Sequence, residues 1–509
     1  MKALKGGIAC GHPKVAEAAE EVLRNGGNAF DAVVAAQFSA CVVEPVLASL
    51  GGGGYLLACP ANRQPRIYDF FVQTPKDRHQ DEPDFYPVVA DFGDVTQEFH
   101  IGSGSVATPG MVKGAFAIYE DLCTLPLQEL VDPAIRQADE GVSVTPMQAY
   151  VFDIVSPIYR ATTSAQQVFV GPSGELPREG ELFRRPELAK TLEGLVCEGE
   201  PFFYQGEMAQ RIAGVCGSGG YVTQRDLEDY KVICREPLAF AYRSAMLRTN
   251  PPPSFGGILI AFALRLMEAG GISSFGSGSH LGLLTKIMTL TQKARLDAMS
   301  SGDLNNGNLL DAAYLSRYQQ EVQGYFACSR GTTHISVADS KGNIASMSLS
   351  NGEGCGVMVP ETGFMLNNML GEEDINPGGF GRWQTDQRMA SMMAPTVLTI
   401  GNKQYALGSG GSNRIRSAIL QVVSNLVDFK MDLEQAVASP RIHVEQGALN
   451  MEQGFSELDT QALEKEVDSL VRWQGLNLFF GGVHAVELSD KTIRAYGDTR
   501  RGGIGLIVH

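Results

Sequence analysis

Well inside the chain, at Thr332, the sequence turns from helical patterns to a β-hairpin. Thr332-Thr333-His334-Ile335-Ser336-Val337-Ala338-Asp339 is β-prone and partly alternating, Lys341-Gly342-Asn343 makes a turn, and Ile344 to Ser350 returns. Helical patterns precede it. Residues 14–29 space their apolar side chains as a helix does and stop at Asn25-Gly26-Gly27. Asp31 to Val43 predicts a second, Ala-rich, buried helix, and Leu50-Gly51-Gly52-Gly53-Gly54 leads into a strand at Tyr55-Leu56-Leu57. Val131 to Ala138 predicts a helix capped by Asp132 with Pro133 in its first turn. Asn250 to Gly257 reads as a rigid connector ahead of an apolar helix from Ile258. After the hairpin, Gln404 to Gly408 is a strand that passes through Ser409-Gly410-Gly411-Ser412-Asn413 into a helix from Arg414, and Gly482 to Leu488 is a further strand. Strands and helices so mixed predict an α/β or α+β fold. Length alone suggests about three domains, but no Gly/Pro/Ser-rich linker divides the 509 residues and no repeat of fixed period runs through them. One compact body is therefore expected.

Composition narrows the function. The formal net charge of -16 repels phosphate backbones, which argues against nucleic-acid binding. Nine cysteines without a paired C-x-x-C spacing read as small buried residues in a reducing compartment. The N-terminal residues are basic but lack a continuous apolar stretch, so no secretory leader is visible. The expected location is the cytoplasm, or the periplasm or exterior had a leader been removed. The apolar run from Ala32 to Pro60 is broken by Gln37, Glu44, Pro45 and the glycines, so no membrane span is expected. No His-x-x-x-His or His-Glu-x-x-His string occurs, no Gly-Lys-Ser/Thr follows the glycine run, and no Gly-x-Ser-x-Gly marks a strand–helix turn. No metal or organic cofactor is expected.

Thr332 is the sharpest candidate for chemistry. A hydroxyl is a weak nucleophile until a base takes its proton. Cleavage of the Gly331–Thr332 bond would give Thr332 a free α-amine, whose reference pKa of ~7.7–8.0 suits a general base near neutrality. Gly331 lacks a Cβ and leaves its carbonyl open to attack. Taken alone, however, Gly-Thr-Thr is more often simply the start of a strand. The loop from Gly408 to Asn413 has two readings of equal weight: backbone N–H groups that hold an oxyanion at a helix N-terminus, or a tight turn. His334 shares a strand face with Thr332, and its plainer reading is a hydrogen-bonded structural histidine.

Taken together, the motifs resemble those of the γ-glutamyltranspeptidase family, nearly end to end. They are His12-Pro13, Gly26-Gly27-Asn28-Ala29-Phe30-Asp31-Ala32, Val43-Glu44-Pro45, the Gly51–Gly54 run, Val106-Ala107-Thr108-Pro109-Gly110 and Asp132-Pro133-Ala134-Ile135. They continue with Gly219-Gly220-Tyr221-Val222-Thr223, Asp226-Leu227, Tyr230, Pro251-Pro252-Pro253-Ser254, Gly256-Gly257, Thr332-Thr333-His334 and Asn367-Asn368-Met369. Ser391, Pro395-Thr396, the Gly408–Arg414 loop and Ser439-Pro440-Arg441 complete them. Their order and spacing carry the resemblance.

The resemblance implies a four-layer αββα sandwich of the N-terminal nucleophile hydrolase type. Its large-subunit segment would be residues 1–331 and its small-subunit segment 332–509, interleaved in one body after self-cleavage between Gly331 and Thr332. It implies Thr332 as nucleophile, Ser350 as its supporting hydroxyl, and Gly410 and Gly411 as the oxyanion pair. Glu372 would hold the substrate's α-amino group and Ser391 would lie near its carboxylate, with Asn351 an approximate match to a substrate-binding asparagine. The implied activity is hydrolysis of γ-glutamyl amides such as glutathione, or acyl transfer to an amine. The implied partners are a small-molecule amide and the two subunits, with a homo-oligomer left open. Two departures stand out. Phe71, in Tyr68-Asp69-Phe70-Phe71-Val72, occupies the place of an arginine that clamps the γ-glutamyl carboxylate, and Met392 replaces the second serine of a Ser-Ser pair. A bidentate arginine contact is hard to replace. Two other readings therefore stand beside the first: an amidohydrolase of the same fold with another acyl group, such as a small dicarboxylic amide or an acylase-type β-lactam side chain, and an unprocessed, non-catalytic binding protein.

Overall fold

The computed structural model describes residues 3–78, 82–91, 96–217, 219–271, 273–301, 308–319, 332–376, 378–445, 447–461, 463–465, 467–490 and 492–509. Two antiparallel sheets form its centre. The first runs, edge to edge, Ile504–Val508, Gly6–Cys10, Thr333–Asp339, Ile344–Ser350, Gly53–Cys59, Arg66–Phe70 and Ile233–Arg235. The second runs Ile493–Tyr496, Gly482–Leu488, Lys403–Gly410, Thr396–Ile400, Ala245–Thr249 and Leu238–Tyr242. Helices Pro13–Arg24 and Ala29–Val43 cover the outer face of the first sheet, and Leu127–Glu140 packs against Ala29–Val43. Helices Phe255–Ala269 and Arg414–Val427 cover the second, and Gly278–Ser301 packs against Phe255–Ala269. The layers are helix, sheet, sheet, helix, as the resemblance implied.

Local sequence explains the parts that matter. Every residue of Ala29–Val43 is buried, which is why its apolar residues show no amphipathic stripe. Asn28 caps it: its side chain accepts from Phe30 N and Asp31 N, and the Asp31 carboxylate accepts in return from Asn28 N. In the central hairpin the two-residue strand period sends Ile335 and Val337 into the helical side of the core. The alternate residues face the second sheet, where Ser336 Oγ donates to His484 O and Ser346 Oγ donates to Leu407 O, both at 3.1 Å. His334 lies in this seam between Ser348 Oγ at 2.8 Å and Ser336 Oγ at 3.0 Å. Its neutral form is held by burial, which pushes its pKa well below the ordinary range. Gly408 is required opposite it, because a Cβ there would lie 2.3 Å from the imidazole. The plainer reading of His334 matches this placement.

Two sequence expectations change. The helix predicted from Val131 with Asp132 as its cap instead runs Leu127–Glu140 with Pro133 inside it, its N-cap being Pro126. Pro133 removes one backbone donor, but Leu130, Val131, Ala134 and Ala138 bury one face on both sides of it, and that packing carries the helix through. The apolar helix expected from Ile258 starts at Phe255. Gly256 and Gly257 belong to its first turn because Met392 O and Asn250 O approach too closely for any Cβ.

Candidate active site

The hairpin register pairs Thr333 with Leu349, so the residue before it, Thr332, comes level with Ser350. Alternation then separates the two threonines. Thr332 turns toward the second sheet, where Gly410 is pressed against its carbonyl: a Cβ on Gly410 would lie 1.9 Å from Thr332 O. Arg501 Nη1 donates to the same carbonyl at 3.2 Å. Thr333 turns toward the helical layer, and its Oγ1 donates to Glu44 at 3.2 Å to each carboxylate oxygen. Glu44 ends the buried helix Ala29–Val43. Burial pushes its pKa from an ordinary 4.5 up to about 7, against the opposing pull of the Thr333 hydroxyl and the Arg501 guanidinium.

Thr332 is buried and borders two cavities. The larger, of about 610 Å³, is lined by Glu44, Thr333, His484 and Arg501 at its polar end and by Val46, Met147 and Phe152 among its apolar walls. The smaller, of about 300 Å³, brings together Thr332, Ser350, Glu372, Ser391 and Ser412. These come from four separate stretches of chain. Ser350 ends its strand and accepts from Gly352 N at 3.1 Å. Glu372 sits between two short 3₁₀ turns, its carbonyl held by Asn376 Nδ2 at 2.7 Å. Gly352, at φ +63°, makes room for it: a Cβ there would lie 2.6 Å from Glu372 Oε1. Ser391 Oγ accepts from Met393 N at 3.1 Å, and its carbonyl accepts from Phe255 N at 2.8 Å. Ser412, at φ +48°, donates to Asp374 Oδ2 at 2.6 Å.

Thr332, Ser350, Glu372, Ser391 and Gly410 thus converge on one locus, at the ends of strands and in adjoining loops. Gly411 follows Gly410 at φ +111°, beside Arg501. Asn351 is placed differently from the expectation of a substrate-binding residue. It is fully buried between Gly52 and Gly354 and lies outside the lining of both cavities. The strand alternation that turns Ser350 to the cavity turns its neighbour away. Gly331, expected on the other side of the scissile bond, lies outside the described residues.

The departure at Phe71 has a structural consequence. Phe71 is a wall of the smaller cavity and stacks on Tyr55 with ring centroids 5.6 Å apart. An arginine does lie behind it, Arg388, but its guanidinium donates to the backbone carbonyls of Phe71 and Lys231 and to the Tyr230 hydroxyl, and it stands outside the cavity. Met392 lines the same cavity. Glu44, Thr333, Ser412 and Arg501 were not singled out as site residues. Val43-Glu44-Pro45 was visible only as a motif, and nothing local marks Arg501, which meets Thr332 across 169 residues. Among the described residues no group of three His, Cys, Asp or Glu is placed to hold a metal ion, the cysteines are free thiols, and no helix is long and apolar enough to cross a membrane.

Comparison with known proteins gives the chain a family and relatives of the same fold. The family model described as gamma-glutamyltranspeptidase matches residues 15–508. The glutathione hydrolase proenzyme of Pseudomonas aeruginosa is 30% identical, over 99% of this chain and 94% of that one. The acylase ACY 1 proenzyme of Pseudomonas sp. (strain V22) is also 30% identical, over 92% of this chain and 88% of that one. The solved cephalosporin acylase from Bacillus halodurans has the same fold, with a TM-score of 0.86 at 24% identity, covering 99% of this chain and 96% of that chain. With a family model matched across almost its whole length, the chain belongs to the γ-glutamyltranspeptidase family.

Proposed function

We propose that this chain is a self-processing threonine amidohydrolase and acyltransferase that acts on γ-glutamyl amides such as glutathione, by hydrolysis or by transfer to an amine. Cleavage before Thr332 leaves a large chain of residues 1–331 and a small chain of 332–509, which is 509 − 331 = 178 residues. The observation that carries the reading is the position of Thr332. It heads a central strand at the junction of two cavities, with the glycine of the next sheet against its backbone.

In the processed enzyme the Thr332 α-amine takes the proton from its own Oγ, and Oγ attacks the amide carbonyl. The oxyanion that forms is held by backbone N–H groups at Gly410 and Gly411, where the glycines bring the second sheet onto Thr332. The protonated amine gives its proton to the leaving nitrogen as the C–N bond breaks, and an ester on Thr332 remains. Water or an acceptor amine attacks that ester, its proton passing to the Thr332 amine and from there to the Thr332 Oγ as the ester C–O bond breaks, and the acyl product leaves with the hydroxyl and amine restored. Ser350 lies level with Thr332 across the hairpin and orients its hydroxyl. Glu372 and Ser391 face the acyl chain in the smaller cavity.

A second reading, with an acyl group other than γ-glutamyl, is favoured by Phe71 and Met392 in the wall of that cavity. It also agrees with the acylase among the relatives.

Intact mass under denaturing conditions tests both readings at their root. The expected result is two fragments, the smaller beginning at Thr332, and a single uncut chain for Thr332→Ala. An uncut wild-type chain that still binds a small amide would refute the enzyme readings and leave a binding protein.

A further inference from the structure

The α-amine that the reading above uses as base does not exist while the Gly331–Thr332 peptide bond is whole. The nitrogen is then an amide, with its lone pair delocalised into the carbonyl, and it takes no proton near neutrality. The first cut therefore needs another acceptor for the Thr332 Oγ proton. The larger cavity, which Thr332 borders, has several polar groups at that end. Burial holds His12 and His484 below the ordinary histidine pKa, His484 at about 4, so both are neutral at pH 7. Each already uses its lone pair: His12 Nδ1 accepts from Lys14 N at 3.1 Å, and His484 Nδ1 accepts from Asp498 N at 3.2 Å. In a neutral imidazole the other nitrogen then carries the hydrogen and only donates. His334 has its ring nitrogens against Ser348 Oγ and Ser336 Oγ. Arg501 has donors only.

Glu44 differs from all of these. It ends the helix Ala29–Val43, and its carboxylate accepts from the hydroxyl of Thr333, the residue next to Thr332 in the chain. A carboxylate has about four acceptor positions, so this bond leaves capacity for more. Gly11 keeps the approach open, since a Cβ there would lie 2.9 Å from Glu44 Oε1 and 3.4 Å from Thr333 Oγ1. The titratable groups that face Glu44 hold their states near pH 7. Arg501 stays charged although burial lowers its pKa to about 10, and burial pushes the Cys10 and Cys41 thiols up to about 12.

Resting on the threonine-hydrolase reading above, we propose that Glu44 is the base for self-cleavage, taking the Thr332 Oγ proton through one water in the larger cavity. At roughly 30 Å³ for a water, a cavity of about 610 Å³ has room for it. The Oγ proton moves to the water and a proton of the water moves to the Glu44 carboxylate, while Oγ bonds to the Gly331 carbonyl carbon. The C–N bond breaks as Glu44 returns its proton through the water to the Thr332 nitrogen. Gly331 is left as an ester on Oγ, and Thr332 has its free amine. A second water then adds to the ester carbonyl. The new amine takes that water's proton and passes it to Oγ as the C–O bond breaks. The products are a Gly331 carboxyl and a Thr332 with hydroxyl and amine. Glu44 thus makes the base that replaces it.

The rate of the first cut against pH tests this. Full-length chain is labelled in a short cell-free synthesis, diluted into buffers from pH 5 to pH 9, and followed on denaturing gels. With the Glu44 pKa at about 7, the wild-type rate constant is expected to be level above pH 8. Below that it should fall, by about ninetyfold in all from pH 8 to pH 5. Glu44→Gln is expected to cut at least about a hundredfold more slowly at pH 8 and to show no fall in rate centred near pH 7. Glu44→Asp keeps a carboxylate and should keep the fall, at a rate between the other two. A Glu44→Gln chain that cuts as fast as the wild type, or that keeps the fall near pH 7, would overturn the proposal. So would a Glu44→Asp chain whose rate ignores pH, which decides the matter even where the glutamine variant does not fold. Loss of the fall in Glu372→Gln alone would assign the base to the smaller cavity and would also overturn it. None of these outcomes touches the threonine-hydrolase reading. A wild-type chain that stays uncut at every pH would overturn both.

Discussion

Replacing Glu44 with glutamine should remove a pH dependence that the fold builds into the wild type. The Glu44 carboxyl is fully buried and its pKa is raised from 4.5 to about 7. The folded protein therefore binds this proton more tightly than the unfolded chain. At low pH the group is protonated in both states and costs nothing. As pH rises past 4.5 the unfolded chain releases the proton first, so stability falls until the folded state also ionises near pH 7, and is level above that. The full span is 7 − 4.5 = 2.5 units, or about 3.4 kcal/mol at 1.36 kcal/mol per unit. Between pH 5 and pH 8 the portion traversed is about 2.5 kcal/mol. Urea unfolding of Thr332→Ala, which stays a single chain, beside the double variant Thr332→Ala/Glu44→Gln reads this directly. Every other titrating group is common to both and cancels. Glutamine keeps an oxygen to accept from Thr333 Oγ1, so the hydrogen bond survives the exchange. The expected result is a gap between the two proteins that shifts by about 2.5 kcal/mol in favour of the glutamine variant on going from pH 5 to pH 8. Curves that stay parallel within about 0.5 kcal/mol would show that Glu44 does not titrate as its burial dictates.

Other expectations follow from the same geometry. Gly410→Ala drives a Cβ to within 1.9 Å of a backbone carbonyl that cannot step aside. The chain should remain uncut on denaturing gels and lose about 1–3 kcal/mol of stability; normal processing of this variant would remove Gly410 from the site. Asn28→Ala takes away the acceptor for Phe30 N and Asp31 N at the start of the buried helix. Unfolding in urea should show a loss of about 1 kcal/mol with fragment formation unchanged, whereas a loss of processing would mean that the helix cap positions Glu44 as well.

The elements of this protein were legible where a local pattern and a buried face agree. The hairpin from Thr333 to Ser350 could be read because its strands alternate and its turn carries Gly342. The helix Ala29–Val43 could be read from Asp31 onward because it is Ala-rich and its polar residues are few: Asp31, which the structure places in the cap, Gln37, whose amide reaches Met111 O, and Ser39, whose hydroxyl reaches Gln137. The helix around Pro133 was misread because a proline signals a helix start by local rules, while the packing of Leu130 and Ala134 on either side overrides it.

Period and turn chemistry in the sequence determined a mixed α/β or α+β fold and a threonine at the head of a strand, while the layer pattern and the glycines facing that threonine came from the motif order that carries the family resemblance. Tertiary structure alone decided what surrounds that threonine. Glu44 reaches Thr333 from a helix end 289 residues away, Arg501 reaches Thr332 O from near the C-terminus, and Asn351 turns out of the site that Ser350 enters. Tertiary structure also made Phe71 a wall of the smaller cavity. Such placements depend on which sheet faces which, and on strand alternation read in register. No local stretch of chain contains that information, because the partners meet only when the two sheets close on each other.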